Sequence, residues 1–300
     1  MEKDIIQINS IDTYCKYCGF EVLHPLVTVV NMAEAVRNYP ECKLNFGVYS
    51  IWLKQGAGCS IKYGRREYDY QEGTVVSFAP GQVVQVEPND GMSNSSIGLL
   101  FHPDLIHGTS LGRKIARYTF FSYDQTEALH LSERERNQYL AIIDSIKAEL
   151  EHAIDKHSRE LLCDHIELLL DICLRFYDRQ FITREKVNVD ILADFERILN
   201  AYFKDGLAEQ KGFPTVAWLA DRAHLSASYF GDLIKKETGL TAQEYIQNKI
   251  VTLSKQELLG TDLPVSEIAY KLGFEYPQHF TRLFKKVTGM SPSEYRSSIN

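Results

Sequence analysis

The 300-residue sequence predicts an α+β chain: a β-barrel or sandwich, then an antiparallel helix pair, then an all-α region. Three observations predict it. Residues 20–121 hold many short runs rich in Val, Ile, Tyr and Phe, divided by Gly, Pro and Asn-Asp-Gly. From Ser132 the apolar residues recur at helical spacing instead. Residues 216–245 and 265–295 repeat one another.

The predicted strands are LVTVV (26–30), LNFGVYSIWL (44–53), CSIKY (59–63), TVVSFA (74–79), QVVQVE (82–87), SIGLLF (96–101) and RYTFF (117–121). Alternation in QVVQVE and REYDY indicates one wet face. Many short strands without long helices between them mean a sandwich or barrel.

Ser132 and Glu135 form a capping box at the start of a helix whose stripe is Tyr139, Ile142, Ile143, Ile146 and Leu150. A second helix starts at Ser158, with Leu161, Leu162, Ile166, Leu169, Ile172, Cys173 and Phe176 on one side. So short a turn makes the two antiparallel neighbours. Their apolar faces are broad enough to cover the β region and leave a seam for a homodimer across 132–180, which charges at Ile146 and Leu169 should split if those positions face the partner. The alternative is that the monomer uses up both faces. FITREKVNVD (181–190) lacks apolar periodicity and reads as a linker between a 1–180 domain and a 191–300 domain. Helix resumes at Ile191, KDGLAEQKG (204–212) breaks it, and everything after Pro214 is helical.

Formal charge is −7, but unevenly spread. Residues 211–300 hold 11 Lys and Arg against 9 Asp and Glu, leaving 22 against 31 in the first 210 residues. A surplus of +2 does not by itself mark a nucleic-acid binder. The start, MEKDIIQINSIDTY, is no signal peptide, and no run approaches the roughly 18 apolar residues of a membrane span. A cytoplasmic protein with reduced thiols is expected. Cys15 and Cys18 form a lone CxxC, half of a zinc site or a redox pair, with no second pair to complete it.

The repeat carries the most information. VAWLADRAHL meets VSEIAYKLGF at an offset of 49. At an offset of 50, Phe230, Leu233 and Ile234 meet Phe280, Leu283 and Phe284, and Lys235-Lys236 meets Lys285-Lys286. Each copy reads helix, tight turn, helix, with Ala220 and Ala269 where the helices approach. In the second copy Phe280, Leu283, Phe284 and Val287 make the buried stripe. Gln278, Thr281, Arg282, Lys285 and Lys286 face outward. Two such units on the spacer helix 241–260 can place their second helices in successive major-groove turns, about 34 Å apart. A helical solenoid, the rival, wants three or more units.

The run from Val265 to Arg296, with SEIAYKLGF, HFTRLFKK and TGMSPSEYR, resembles the DNA-binding domain of the AraC/XylS family of bacterial transcription regulators. The β half with its helix pair is similar in layout to the cupin-like sensing and dimerising region of many members. The resemblance implies double-stranded promoter DNA as partner, a small-molecule effector and RNA polymerase as a further partner, and leaves open whether the protein is an activator or a repressor. It assigns Gln278, His279 and Arg282 to bases or phosphates. The first reading helix departs from the pattern: Ser226, Ser228, Gly231 and Asp232 hold the outward positions, so weak, shape-tolerant reading is expected there. Lys235, Lys236, Lys285 and Lys286 are expected on phosphates.

In the β half, GCSIKYGRREYDYQEG (58–73) has no His, and Glu67 and Asp69 alone are poor metal anchors. His24, His102 and His107 read as structural. No GxSxG, HExxH or P-loop occurs, so no catalytic site, metal or cofactor is expected. Phe46, Tyr49, Trp52, Tyr63, Tyr68 and Phe78 are candidates to wall an effector pocket or simply to fill the core. The competing function is a cupin-like enzyme or sugar-binding protein whose helical tail mediates assembly.

Overall fold

The computed structural model describes residues 5–36, 42–54, 73–86, 96–124, 127–183 and 185–299. The chain divides into two compact units, 1–183 and 184–300.

The first unit is mixed α and β. Its strands are β1 (Ile5–Ile8), β2 (Val27–Asn31), β3 (Cys42–Phe46), β4 (Tyr49–Lys54), β5 (Thr74–Phe78), β6 (Val83–Val86), β7 (Ile97–Phe101) and β8 (Leu129–His130). Its helices are α1 (Ile11–Cys18), α2 (Pro103–Ile106), α3 (Ser110–Lys114), α4 (Glu133–Glu151) and α5 (Ser158–Thr183). Among the described residues the strands form two sheets, in the orders β1-β3-β6 and β2-β7-β4-β5-β8, and neither closes into a barrel. The run 44–53 is therefore two strands in two sheets. Gly47 makes the crossing, its N–H bonded to Ile8 O at 2.8 Å.

Strand alternation sorts the aromatic side chains. Ser50, Trp52, Val76, Phe78 and Leu100 share one face by register. That face meets Leu44, Phe46 and Val84 of the smaller sheet and Ile11, Tyr14, Cys15 and Cys18 of α1. Tyr49 lies on the other face, stacked on Phe101 with centroids 5.0 Å apart. From there an aromatic chain runs through Phe121 and Phe120 to Tyr177 of α5.

Three expectations need correction. RYTFF is not a strand: 3₁₀ turns cover Ile115–Arg117 and Thr119–Ser122. Its aromatic groups are held by the helices, with Tyr118 Oη donating to Asp171 of α5 at 2.9 Å. Residues 181–190 are helical apart from position 184, which lies outside the described residues. The segment has neither Gly nor Pro, so nothing in it breaks a helix. Ile146 and Leu169 are fully buried inside the unit, not on an outer seam.

The helix pair is tied down by polar contacts. The Ser132–Glu135 capping box is formed. Arg179 reaches Glu135 at 2.8 Å and His130 O at 2.7 Å. Arg159 donates to the carbonyls of Leu105 and His107, at 2.9 and 2.6 Å, which fixes α5 on α2. No helix among the described residues is long and apolar enough to cross a membrane.

The second unit is all helix: α6 (Glu185–Lys204), α7 (Leu207–Lys211), α8 (Val216–Arg222), α9 (Ala227–Thr238), α10 (Ala242–Gly260), α11 (Val265–Lys271), α12 (Pro277–Thr288) and α13 (Pro292–Ile299). The helix α7 falls where the sequence pattern breaks.

Candidate nucleic-acid interface

The sequence repeat becomes a repeat of hydrogen bonds. Helices α8 and α9 form one helix-turn-helix, α11 and α12 the other. In the first turn Leu225 N–H donates to Ala220 O at 3.0 Å; in the second Phe274 N–H donates to Ala269 O at 2.9 Å. Ala220 and Ala269 are buried where the helices meet. Both second helices end alike. Gly239 and Gly289 take positive φ, and the hydroxyls of Thr238 and Thr288 donate to Ile234 O and Phe284 O, each at 2.7 Å. The next helix then starts in each case with reciprocal bonds, Thr241 with Glu244 and Ser291 with Glu294.

Aromatic packing fixes each reading helix from behind. Phe230 of α9 packs on Phe195 of α6 at 5.3 Å. Behind α12 the series Phe274, Phe280, Phe284, Tyr295 runs with neighbouring centroids 5.3–5.7 Å apart. Arg296 donates to Leu258 O and Leu263 O at 2.9 and 2.8 Å, holding the end of α10 against α13. The stripe is narrower than expected: Phe280 and Phe284 are buried, Leu283 is half-buried, and Val287, in the last turn of α12, is exposed.

In the second helix-turn-helix, four of the five residues that the spacing turns outward are exposed, Gln278, Arg282, Lys285 and Lys286, while Thr281 is half-buried; His279, assigned by the resemblance, is exposed as well. Neither the Gln278 nor the Arg282 side chain is tied down by a hydrogen bond to another described residue. On a 100° helical projection Arg282 sits at the centre of the outward face, with Gln278 one turn before it. The first helix-turn-helix differs at the positions of Gln278, His279 and Arg282. Ser228 and Asp232 stand in the places of Gln278 and Arg282, and both are half-buried. Tyr229, in the place of His279, is buried. The hydroxyl of Ser226 accepts from Tyr229 N–H at 3.2 Å, so its local work is capping α9. Lys235 and Lys236 remain exposed.

Carboxylates temper these basic ends. The backbone N–H and hydroxyl of Thr241 hold the Glu244 carboxyl below its usual range, with Lys286 and Lys235 adding to the effect. Ser291 and then Lys285 do the same for Glu294. Each carboxylate thus caps a helix and stays ionised near the lysines.

Sequence reasoning missed α6 and α7 as a brace. Tyr202 of α6 packs edge-on to Trp218 of α8 at 4.8 Å and donates to Gly212 O at 2.9 Å. Phe213 packs on Phe274 at 4.6 Å. One segment therefore touches both helix-turn-helix units. The aromatic spacing Tyr202…Phe213…Trp218 was the available signal.

In the first unit Phe46, Trp52 and Phe78 come together around Tyr14, and Tyr49 lies across the sheet from them. Tyr63 and Tyr68, with Glu67 and Asp69, lie outside the described residues. Cys15 and Cys18 are buried on α1, where burial pushes both thiols up, Cys18 to about 11. His24 and His102 each accept a backbone N–H.

A helix-turn-helix domain family matches residues 219–298, covering most of α8–α9 and all of α11–α12. The TetD protein of transposon Tn10 from Escherichia coli is 34% identical over 144 residues, 48% of this chain and 91% of that protein. The arabinose operon regulatory protein of Escherichia coli is 30% identical over 96 residues, 32% of each chain. The probable transcriptional regulator LumQ of Photobacterium leiognathi is 25% identical over 242 residues, 79% of this chain and 87% of that one. An alignment that long must extend into the first unit. Coverage is uneven: the chain spans 14% of one Bacillus subtilis regulator that it matches and 26% of another. A chain with this duplicated helix-turn-helix, which matches 91% of TetD at 34% identity, belongs to the AraC family of transcriptional regulators.

Proposed function

We propose that this chain is a sequence-specific, double-stranded-DNA-binding transcription regulator in which α12 does most of the base reading. The observation that carries the proposal is the contrast at one repeat position: Arg282 is central and exposed on α12, and Asp232 is half-buried on α9. Arg pairs bidentately with guanine and Gln with adenine in the major groove. Asp repels phosphate and at best accepts from a cytosine amino group. The four lysines 235, 236, 285 and 286 then hold the backbone and set the register. Relatives named as transcriptional regulators support this reading over an enzymatic one.

The finer parts of the proposal concern the first unit. Its two sheets enclose an aromatic interior in a cupin-like arrangement, and a small organic effector would bind beside Phe46, Trp52 and Phe78. The α4–α5 pair would join two copies, and the protein would act in the cytoplasm as an activator with RNA polymerase as a further partner. The test is selection of duplexes from a random-sequence pool by the full chain, followed by titration of the winners against salt. Enrichment of one motif is expected. With four lysines of each subunit on phosphates, log K should fall with log salt with a slope of about −4 for each half-site occupied. Failure to enrich any motif would remove the proposal.

A further inference from the structure

The two reading helices differ at their first position in a way that the fold does not require. In α9 the residue before the first turn is Ser226, whose hydroxyl caps the helix. At the same place before α12 stands Tyr276, which makes no side-chain capping bond. Ser or Asp there is worth about 1 kcal/mol to a helix over a non-capping residue. Nor does the Tyr276 ring pack into the core: it is 49% exposed and lies edge-on to His279, itself exposed, with centroids 5.6 Å apart. Its hydroxyl is taken by the neighbouring Glu275 carboxylate, which raises the phenol pKa. What Tyr276 offers outward is therefore an apolar ring, at the end of the helix that enters a groove first.

We infer that Tyr276 and His279 form an apolar notch for the 5-methyl group of a thymine in the major groove, beside the bases met by Gln278 and Arg282. Thymine is the one base that presents a methyl group there, so an apolar ring at this place reads sequence. The inference rests on the DNA-binding reading above and adds a base and a residue to it. Ser226 gives the first helix-turn-helix no such contact, consistent with the short side chains of Ser228 and Asp232.

The experiment uses the full chain and a duplex selected from a random pool. Each thymine in turn is replaced by deoxyuridine, which removes only the methyl group. One replacement near the Arg282 site should weaken wild-type binding about fourfold, the value of one buried methyl group. The Tyr276→Ser variant should bind the thymine duplex about fourfold more weakly and be indifferent to that replacement. It should melt no lower than wild type, since a cap is restored; this excludes loss of fold as the cause. Tyr276→Phe should keep the methyl preference. The inference is overturned if no single replacement matters to wild type, or if Tyr276→Ser remains as sensitive as wild type. Absence of any selected motif for wild type would instead bring down the function proposed above.

Discussion

His224 and Gly273 occupy the same left-handed turn in the two helix-turn-helix units, at φ 56° and 92°. Their N–H groups make matching bonds, to Asp221 O at 3.0 Å and Tyr270 O at 2.9 Å. His224 is the one non-glycine residue with positive φ among the described residues. A side chain there carries about 1–2 kcal/mol of steric strain. Glycine at 273 answers a second demand as well. A Cβ on it would lie 2.8 Å from Ala208 O and 3.0 Å from Gly212 C, both backbone atoms around α7.

These two turns should respond oppositely to substitution. His224→Gly removes the strain but loosens the unfolded chain, so a small net gain of about 0.5 kcal/mol is expected. Gly273→Ala adds strain and a backbone clash, so a loss of about 2–3 kcal/mol is expected. The chain has two tryptophans, one in each unit. In a Trp52→Phe background, urea unfolding followed by Trp218 fluorescence reports the second unit alone. Equal effects of the two substitutions would contradict the account of the turns.

At the reading surface, Arg282→Ala and Gln278→Ala should each weaken binding to a selected duplex by about 1–3 kcal/mol, with preference relaxed at one or two base positions. Lys285→Ala should weaken all sequences alike and lower the salt slope by about 1. Asp232→Ala should leave affinity unchanged or raise it, because a carboxylate near phosphates is removed. A loss at Asp232 as large as that at Arg282 would make α9 an equal reader.

Much of this site was legible because a repeat tests itself. Ala220 with Ala269, Thr238 with Thr288 and Gly239 with Gly289 coincide only if both copies fold alike. The rest turned on distant partners. RYTFF has strand composition, yet Tyr118 is fixed by Asp171, 53 residues away, and no local pattern encodes that bond. On α5 apolar residues cover most of the circumference, so spacing could not say which ones the sheet and α4 would cover. The brace of α6 and α7 was hidden for the same reason: its contacts with Trp218 and Phe274 join segments whose own periodicities are unrelated.

Acid should act on the first unit through His24. Burial lowers its pKa below the ordinary value of 6.5, and its Nδ1 accepts the Leu26 N–H at 3.1 Å, which requires an unprotonated nitrogen. With the folded pKa depressed, this contribution is fully present above about pH 6.5 and is lost as pH falls through the folded value. Melting of the first unit, followed by Trp52 fluorescence in a Trp218→Phe background, should therefore shift down on acidification from pH 7 to 5. Asparagine keeps an acceptor without a proton to gain, so His24→Asn should flatten that shift. An unchanged shift in the variant would assign it to other groups.

For the proposed dimer, the outer side of α5 is the seam to test. Leu161 and Leu168 are 44% and 49% exposed and seven residues apart, hence on one face of that helix. Ile146 and Leu169 are wholly buried, so charge there would attack the fold instead of the association. Wild type should sediment as a dimer at micromolar concentration, and the double variant Leu161→Lys, Leu168→Lys should keep its helical circular dichroism and sediment as a monomer. Single Ile146→Lys should lose structure, because an unpaired buried ammonium costs several kcal/mol. DNA binding separates the consequences. A monomer should keep its preference for a half-site but lose the avidity gained from two linked half-sites. If the double variant stays dimeric, the seam lies elsewhere on the unit; if wild type is monomeric, regulation through a paired α4–α5 bundle fails altogether.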